Sequence, residues 1–178
     1  VNILFKLPLG SKKPIAIVKG VTINTIADKQ VKKVATTFFL CLKYPFLKKI
    51  DRWDDTFMGY GFTWYDDIEV GWQKAFGEKM LNDIVRAFKE NKVPKSKWSN
   101  YLKFSQIKEK WGQLRIYADA PDYILDIFEY FEDLSAKYCY RCGKLAKYRS
   151  KGWITYVCED CKTELEKDGC RFEEIKYE

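Results

Sequence analysis

The sequence predicts an α+β protein with a small hairpin-and-helix core, a C-terminal finger carrying four cysteines, and a basic strand–helix extension before the core. Three observations predict this arrangement. Two C-x-x-C pairs lie near the C-terminus, and two strand-like runs meet at Trp111-Gly112. Several other segments place apolar residues at the three- and four-residue steps of an amphipathic helix. We therefore expect three units, formed by residues 1–50, 51–138 and 139–178.

The first unit is expected to be a basic strand followed by a helix. Residues 15–23 have the β-branched content of a strand or hairpin. A helix is expected to open at Ala27-Asp28 and to end near Pro45, with its apolar stripe packed on its own strands. The stripe consists of Val31, Val34, Ala35, Phe38 and Leu42. Residues 1–50 contain ten lysines and one acid and so carry a net charge of +9. We therefore expect this unit to be an addition to a core that folds without it.

The second unit opens with an acidic, aromatic stretch over residues 51–69. Its carboxylates suggest one enzymatic alternative, a metal-dependent nuclease that binds Mg²⁺ for phosphoryl transfer. Solvated loop acids explain the same residues, with Asp66 and Asp67 placed to favour a helix N-terminus. The acids are Asp51, Asp54, Asp55, Asp66, Asp67 and Glu69. A core-facing helix is then expected from Trp72 to about Lys92.

A hairpin followed by a helix is expected to complete the core. If the loop at Trp111-Gly112 has two residues, Ile107 pairs with Ile116, and Glu109 lies on that same apolar face. A carboxylate there requires a partner, for which Arg115 or a lysine is the candidate. A helix starting at 120–122 carries the stripe Ile124, Ile127, Phe128, Phe131 and Leu134 and should pack on the hairpin. This helix continues into the finger, so we expect no flexible linker between the core and the finger.

The third unit is expected to bind zinc through Cys139, Cys142, Cys158 and Cys161. Four thiolates suit tetrahedral Zn²⁺, and the chain has no histidine, which favours a structural site over a catalytic one. Two disulfides or unrelated thiols are the alternatives. A knuckle, a hairpin and a helix with the second pair in its first turn follow the order of a treble-clef finger, with a zinc ribbon as the other possibility. Of the remaining cysteines, Cys41 is interpreted as a small buried hydrophobe and Cys170 is unassigned.

Five cations within the finger suggest binding to nucleic acid. No acid lies between Cys139 and Cys158, and phosphate contacts in proteins are mostly made by lysine and arginine. A solvated basic face is the alternative. The candidate phosphate contacts are Arg141, Lys144, Lys147, Arg149 and Lys151.

The segment Ile107-Lys-Glu-Lys-Trp-Gly-Gln-Leu-Arg-Ile-Tyr117 resembles the "VKEKFGGLRFY" signature of a family of small phage and prophage proteins. The resemblance spans about residues 60–165. It includes Gly61-Phe-Thr-Trp-Tyr65, an acidic helix over 122–138, both cysteine pairs, and Gly152-Trp153 between them. It implies a viral or prophage setting, hence the host cytoplasm, and a zinc-stabilised core. It carries no activity and does not cover residues 1–50.

These expectations favour a non-enzymatic, zinc-stabilised phage accessory protein that binds a macromolecule. The partner is either nucleic acid, contacted through the finger and the N-terminal segment, or a host protein, for example in the inhibition of a defence system such as CRISPR–Cas. A membrane partner is not expected, because no apolar run approaches the roughly 20 residues needed to span a bilayer. The N-terminus is not expected to be a secretory signal, because Pro8, Gly10 and Lys12 interrupt its first apolar stretch. The oligomeric state does not follow from the sequence.

Overall fold

The computed structural model describes residues 26–50 and 56–176. The expected strand over residues 15–23 lies outside these ranges. The described chain is α+β, with two small sheets and several helices, as predicted. Its elements are helices α1 (Ile26–Lys43), α2 (Val70–Trp72), α3 (Glu78–Glu90), α4 (Trp98–Tyr101), α5 (Asp122–Ser135) and α6 (Glu159–Lys167), and strands β1 (Lys103–Lys110), β2 (Gln113–Asp119), β3 (Tyr148–Ser150), β4 (Tyr156–Val157) and β5 (Phe172–Glu174).

Helix α1 begins close to the predicted position but buries a different face. Thr37, Cys41 and the following Tyr44 are buried, one or two turns apart. Val34 and Leu42, which belong to the predicted apolar stripe, are 44% and 48% exposed. These two positions are therefore not buried as a core-facing stripe would be, whereas Ala35 and Phe38 are half-buried. The strands on which the stripe was expected to pack lie outside the described residues. Cys41 is a small buried group, as expected, and burial raises the pKa of its thiol.

The main core forms around one long helical segment. Helix α2 passes through a π-helical turn, Gln73–Gly77, directly into α3. The buried side chains of this continuous segment include Trp72, Ile84 and Phe88. The Phe88 ring stacks on Trp98, with the ring centroids 5.5 Å apart. The same buried cluster includes aromatic and aliphatic residues of the 44–47 segment: Tyr44, Phe46 and Leu47. A domain boundary at residue 50 would therefore cut through one continuous core.

The hairpin has the predicted register. Strands β1 and β2 pair antiparallel with Ile107 opposite Ile116 and Glu109 opposite Leu114. Both residues of the turn, Trp111 (φ 53°) and Gly112 (φ 79°), have positive φ, as a two-residue turn that follows the strand twist requires. The carboxylate of Glu109 accepts a hydrogen bond from the Gly112 N–H, 2.5 Å away, and so needs no cation from the sheet edge.

Helix α5 packs on this hairpin through its predicted stripe, of which Ile124, Phe128 and Phe131 are buried. Two polar groups of α5 fix the contact. The hydroxyl of Ser135 accepts the N–H of Leu114 at 2.9 Å, and the Glu132 carboxylate accepts that of Ile116 at 2.6 Å. These strand N–H groups lie on the sheet edge that faces α5, so the helix side chains satisfy donors that would otherwise be buried unpaired.

The finger contains a second sheet, in the order β4-β3-β5. Strands β3 and β4 form the expected hairpin, with Tyr148 opposite Val157. Strand β5 was not expected. It pairs antiparallel with the other edge of β3 and brings the segment after α6 back onto the hairpin.

Candidate metal centre

Four cysteine sulfurs converge at one point in the finger. The Sγ atoms of Cys139, Cys142, Cys158 and Cys161 all lie within 4.8 Å of one another. The Sγ atoms of Cys142 and Cys158 are 3.4 Å apart, and no pair is joined as a disulfide. A tetrahedral Zn²⁺ with bonds of about 2.3 Å places its sulfur ligands about 3.8 Å from one another. The cluster can therefore hold one metal ion.

Local backbone geometry places these sulfurs. The first pair lies in a knuckle closed by the N–H of Cys139 donating to the Lys144 carbonyl at 2.8 Å. Gly143 has φ 83°, a conformation that favours glycine, which lets the chain turn back immediately after Cys142. The second pair lies at the start of α6, where Cys158 precedes the first turn and Cys161 lies within it. The two thiols therefore point from one helix end toward the knuckle.

The electrostatics of the cluster favour a bound cation. Burial raises the pKa of the Cys139 thiol, but the N–H groups of Cys158, Cys142 and Arg141 outweigh this effect and bring its pKa below the ordinary value. Burial, together with the neighbouring cysteine side chains, raises the pKa of Cys142 and Cys161. One thiolate therefore opposes the formation of the next. A divalent metal removes this repulsion and allows all four sulfurs to bind as thiolates.

The knuckle is docked tightly on the core. The N–H of Gly71 donates to the Tyr140 carbonyl at 2.8 Å, and the indole N–H of Trp72 donates to the Ser135 carbonyl at 3.1 Å. A Cβ added at Gly71 would lie 2.2 Å from the carbonyl oxygen of Cys139. The start of α2 and the knuckle thus meet backbone to backbone. This confirms the expected direct coupling of the finger to the core.

The structure neutralises most of the predicted basic surface. Three of its five cations pair with acids on α6 or β5: Arg141 with Glu164 at 3.2 Å, Lys144 with Asp160 at 2.5 Å, and Arg149 with Glu173 at 3.2 Å. Exposed pairs of this kind add little stability, but they cancel local charge. Lys147 and Lys151 are exposed and form no ion pair with any described residue.

One cation beside this surface, Arg171, was not among the predicted phosphate contacts. Arg171 is exposed, directly precedes β5, and accepts a hydrogen bond at its carbonyl from the N–H of Lys151 at 2.7 Å. It forms no ion pair with another described residue. The residue lies 20 positions from Lys151 in the chain, and only the pairing of β5 with β3 brings the two together. Strand β5 has only three residues, so no sequence pattern after Gly169 marked this cation.

Of the described acids considered for a nuclease site, Asp66 and Asp67 are engaged by neighbouring groups, and burial raises the pKa of the Glu69 carboxyl. Asp66 lies within the 3₁₀ turn Trp64–Asp67 and accepts hydrogen bonds from the N–H and the hydroxyl of Thr63, at 2.6 and 2.8 Å, which cap the start of that turn. Asp67 pairs with Lys49 at 2.7 Å. Asp51, Asp54 and Asp55 lie outside the described residues. Over residues 26–50 and 56–176, the cysteine cluster is the one group of three or more potential metal-ligating side chains.

Together these features define the class of protein: an α+β chain whose four-cysteine cluster can hold a metal and is fixed to the core. Comparison of the chain with protein-family models, curated proteins and solved structures gives no match. Within residues 26–50 and 56–176, no helix has both the length and the apolar character needed to cross a membrane.

Proposed function

We propose that this protein is a zinc-stabilised, non-catalytic binding protein of a phage or prophage, which acts in the host cytoplasm and binds nucleic acid through its finger. The observation that carries the proposal is the convergence of four thiols within 4.8 Å at a knuckle docked on the core. The viral setting rests on the resemblance of the 107–117 hairpin to the phage signature.

The metal is proposed to be Zn²⁺, held by a treble-clef finger. Four sulfur donors favour zinc among the common metal ions, and four ligands leave no open position for catalysis. The knuckle at 139–142, the β3–β4 hairpin, and α6 with the second cysteine pair at its start follow the treble-clef order. Zinc binding then contributes directly to the stability of the finger, whose own buried cluster is small.

Metal analysis of the purified, reduced protein tests the zinc proposal. We expect about one zinc per chain. Cys142→Ser should lose it and unfold the finger, whereas Cys170→Ser, a matched change at an exposed cysteine outside the cluster, should retain it. Zinc-free protein with native circular dichroism, or equal zinc content in both variants, would contradict the proposal.

Nucleic acid is favoured as the partner because unpaired cations adjoin an exposed aromatic side chain on the finger. Lys151 lies two residues before Trp153, which is 76% exposed. Lysine contacts phosphate, and an exposed ring provides a stacking surface for a base. Fluorescence anisotropy with labelled oligonucleotides tests this partner. Affinity should fall steeply as salt rises, because each neutralised phosphate releases counterions. Failure of all DNA and RNA probes to bind at low salt would overturn it.

A second candidate, an inhibitor that binds a basic host protein of a defence system, is favoured by a different surface. Helix α5 presents an exposed stripe of four carboxylates that form no ion pair with any described residue: Asp122, Asp126, Glu129 and Asp133. Tyr130 and Leu125 are exposed on the same face. A pull-down from nuclease-treated host lysate tests this candidate. A captured protein should be lost with Glu129→Lys but retained with Glu90→Lys, an exposed acid on α3.

A further inference from the structure

We propose that the finger holds a cleft for single-stranded nucleic acid, in which Trp153 stacks on a base while Lys151 and Arg171 contact the flanking phosphates. The inference rests on the proposed function and assigns it to residues that differ from most of those expected from the sequence. The cleft has a volume of about 660 Å³ and lies between the β3–β4 turn, the C-terminal end of α6 and the start of β5.

The stacking side chain is held on an ordered turn. The hydroxyl of Ser150 donates to the Trp153 carbonyl and accepts the N–H of Thr155 at 2.7 Å. The N–H of Lys151 donates to the carbonyl of Arg171 at 2.7 Å, which ties the turn to the chain before β5. A tryptophan that is 76% exposed on a fixed turn forfeits the burial that tryptophan normally gains on folding. Its indole face remains available to a ligand at little ordering cost.

The charge of the cleft complements a phosphate backbone. Its lining includes Lys151 and Arg171 and no acidic residue. Neither cation is paired with a described acid, whereas Lys144 and Arg149 on the surrounding surface are paired with Asp160 and Glu173. Both cations of the cleft lining are therefore available to phosphate groups.

The geometry selects a single strand. In a duplex the base faces are stacked on one another, so an indole ring reaches them only when the bases are splayed apart. The cleft volume lies within the range of about 300–1,000 Å³ that holds small ligands. It therefore suits one nucleotide unit of a strand and not the width of a duplex.

Anisotropy titrations with a labelled oligothymidylate at low salt test the stacking residue. Trp153→Ala should weaken binding by about 5- to 150-fold, the loss typical of one base–aromatic stack. Trp111→Ala removes a tryptophan that is 64% exposed at the tip of the core hairpin, outside the cleft lining, and should leave affinity unchanged. Zinc content measured for both variants verifies that the finger is intact.

A charge comparison and a thiol footprint complete the test. Replacing Lys151 and Arg171 with alanine should lower the salt slope by about 0.7 for each lost phosphate contact, whereas Lys89→Ala, at an exposed lysine of α3, should leave the slope unchanged. Cys170 is exposed in the cleft lining, so bound oligothymidylate should slow its alkylation.

The outcomes separate the two proposals. If the wild-type chain binds the oligonucleotide but Trp153→Ala binds equally well and alkylation of Cys170 is not slowed, the cleft is wrong and nucleic-acid binding stands. If a duplex competes as well as the single strand, the cleft does not select single strands and that part of the proposal is wrong. If the wild-type chain binds no oligonucleotide at low salt, both proposals fail.

Discussion

Replacing Gly71 with alanine should separate the finger from the core. The added Cβ would lie 2.2 Å from the Cys139 carbonyl oxygen and 2.4 Å from the carbonyl carbon and oxygen of Tyr140. All three are backbone atoms of the knuckle, so no side chain can rotate away to make room. The knuckle must move, and the hydrogen bond from the Gly71 N–H to the Tyr140 carbonyl must lengthen or break.

The expected loss of stability follows from three contributions. Overpacking costs about 1–3 kcal/mol, and contacts this short with backbone place it at the upper end. Losing the hydrogen bond costs about 0.5–1.5 kcal/mol. The higher helix propensity of alanine returns at most about 1 kcal/mol. The free energy of unfolding should therefore fall by about 3 kcal/mol, which for a chain of this size lowers Tm by about 6–12 °C.

Chemical denaturation and competition with a zinc chelator measure the two consequences. Gly61→Ala is the matched control, because a Cβ at Gly61 meets nothing within 4 Å. We expect Gly71→Ala to be less stable than this control and to release its metal more readily, since the displaced knuckle carries two of the four sulfurs. Equal unfolding free energies for the two alanine variants would refute the backbone contact between helix and knuckle.

Two further changes test the core with matched controls in denaturant titrations. Ser135→Ala leaves a buried backbone N–H of β2 unpaired and should cost about 1–3 kcal/mol, whereas Ser105→Ala, at an exposed hydroxyl, should stay within about 0.5 kcal/mol. Leu47→Ala should cost about 2–5 kcal/mol and Leu42→Ala less than about 0.5 kcal/mol, since Leu47 is buried and Leu42 is half exposed. Equal losses within either pair would contradict the packing described. A chain that lacks residues 1–50 also lacks Leu47 and should aggregate.

Local patterns predicted the elements whose partners are near in sequence. The hairpin register followed from a two-residue loop at Trp111-Gly112, and the α5 stripe followed from helical periodicity. The convergence of the four thiols followed from two repeated spacings, each of which forms one tight turn or helix start. In each case a short stretch of chain contains the whole physical constraint.

Features that depend on distant partners could not be obtained in this way. Periodicity shows which residues share a helix face but not which face meets the core, so the buried position Thr37 was missed. The cations of the finger looked like one basic surface because their acids, among them Glu164 and Glu173, come later in the chain. Strand β5 has three residues, too few for an alternation to be recognised.

The hydrogen bond from the Trp72 indole to the Ser135 carbonyl has a kinetic consequence. It joins residues 63 positions apart and lies in a fully buried site. During synthesis the chain emerges N-terminus first at about 5–20 residues per second, so the segment around Trp72 waits several seconds for its partner. Its apolar face stays exposed to solvent until α5 has left the ribosome. Docking of α5 closes this long loop and buries the Trp72 side chain for the first time.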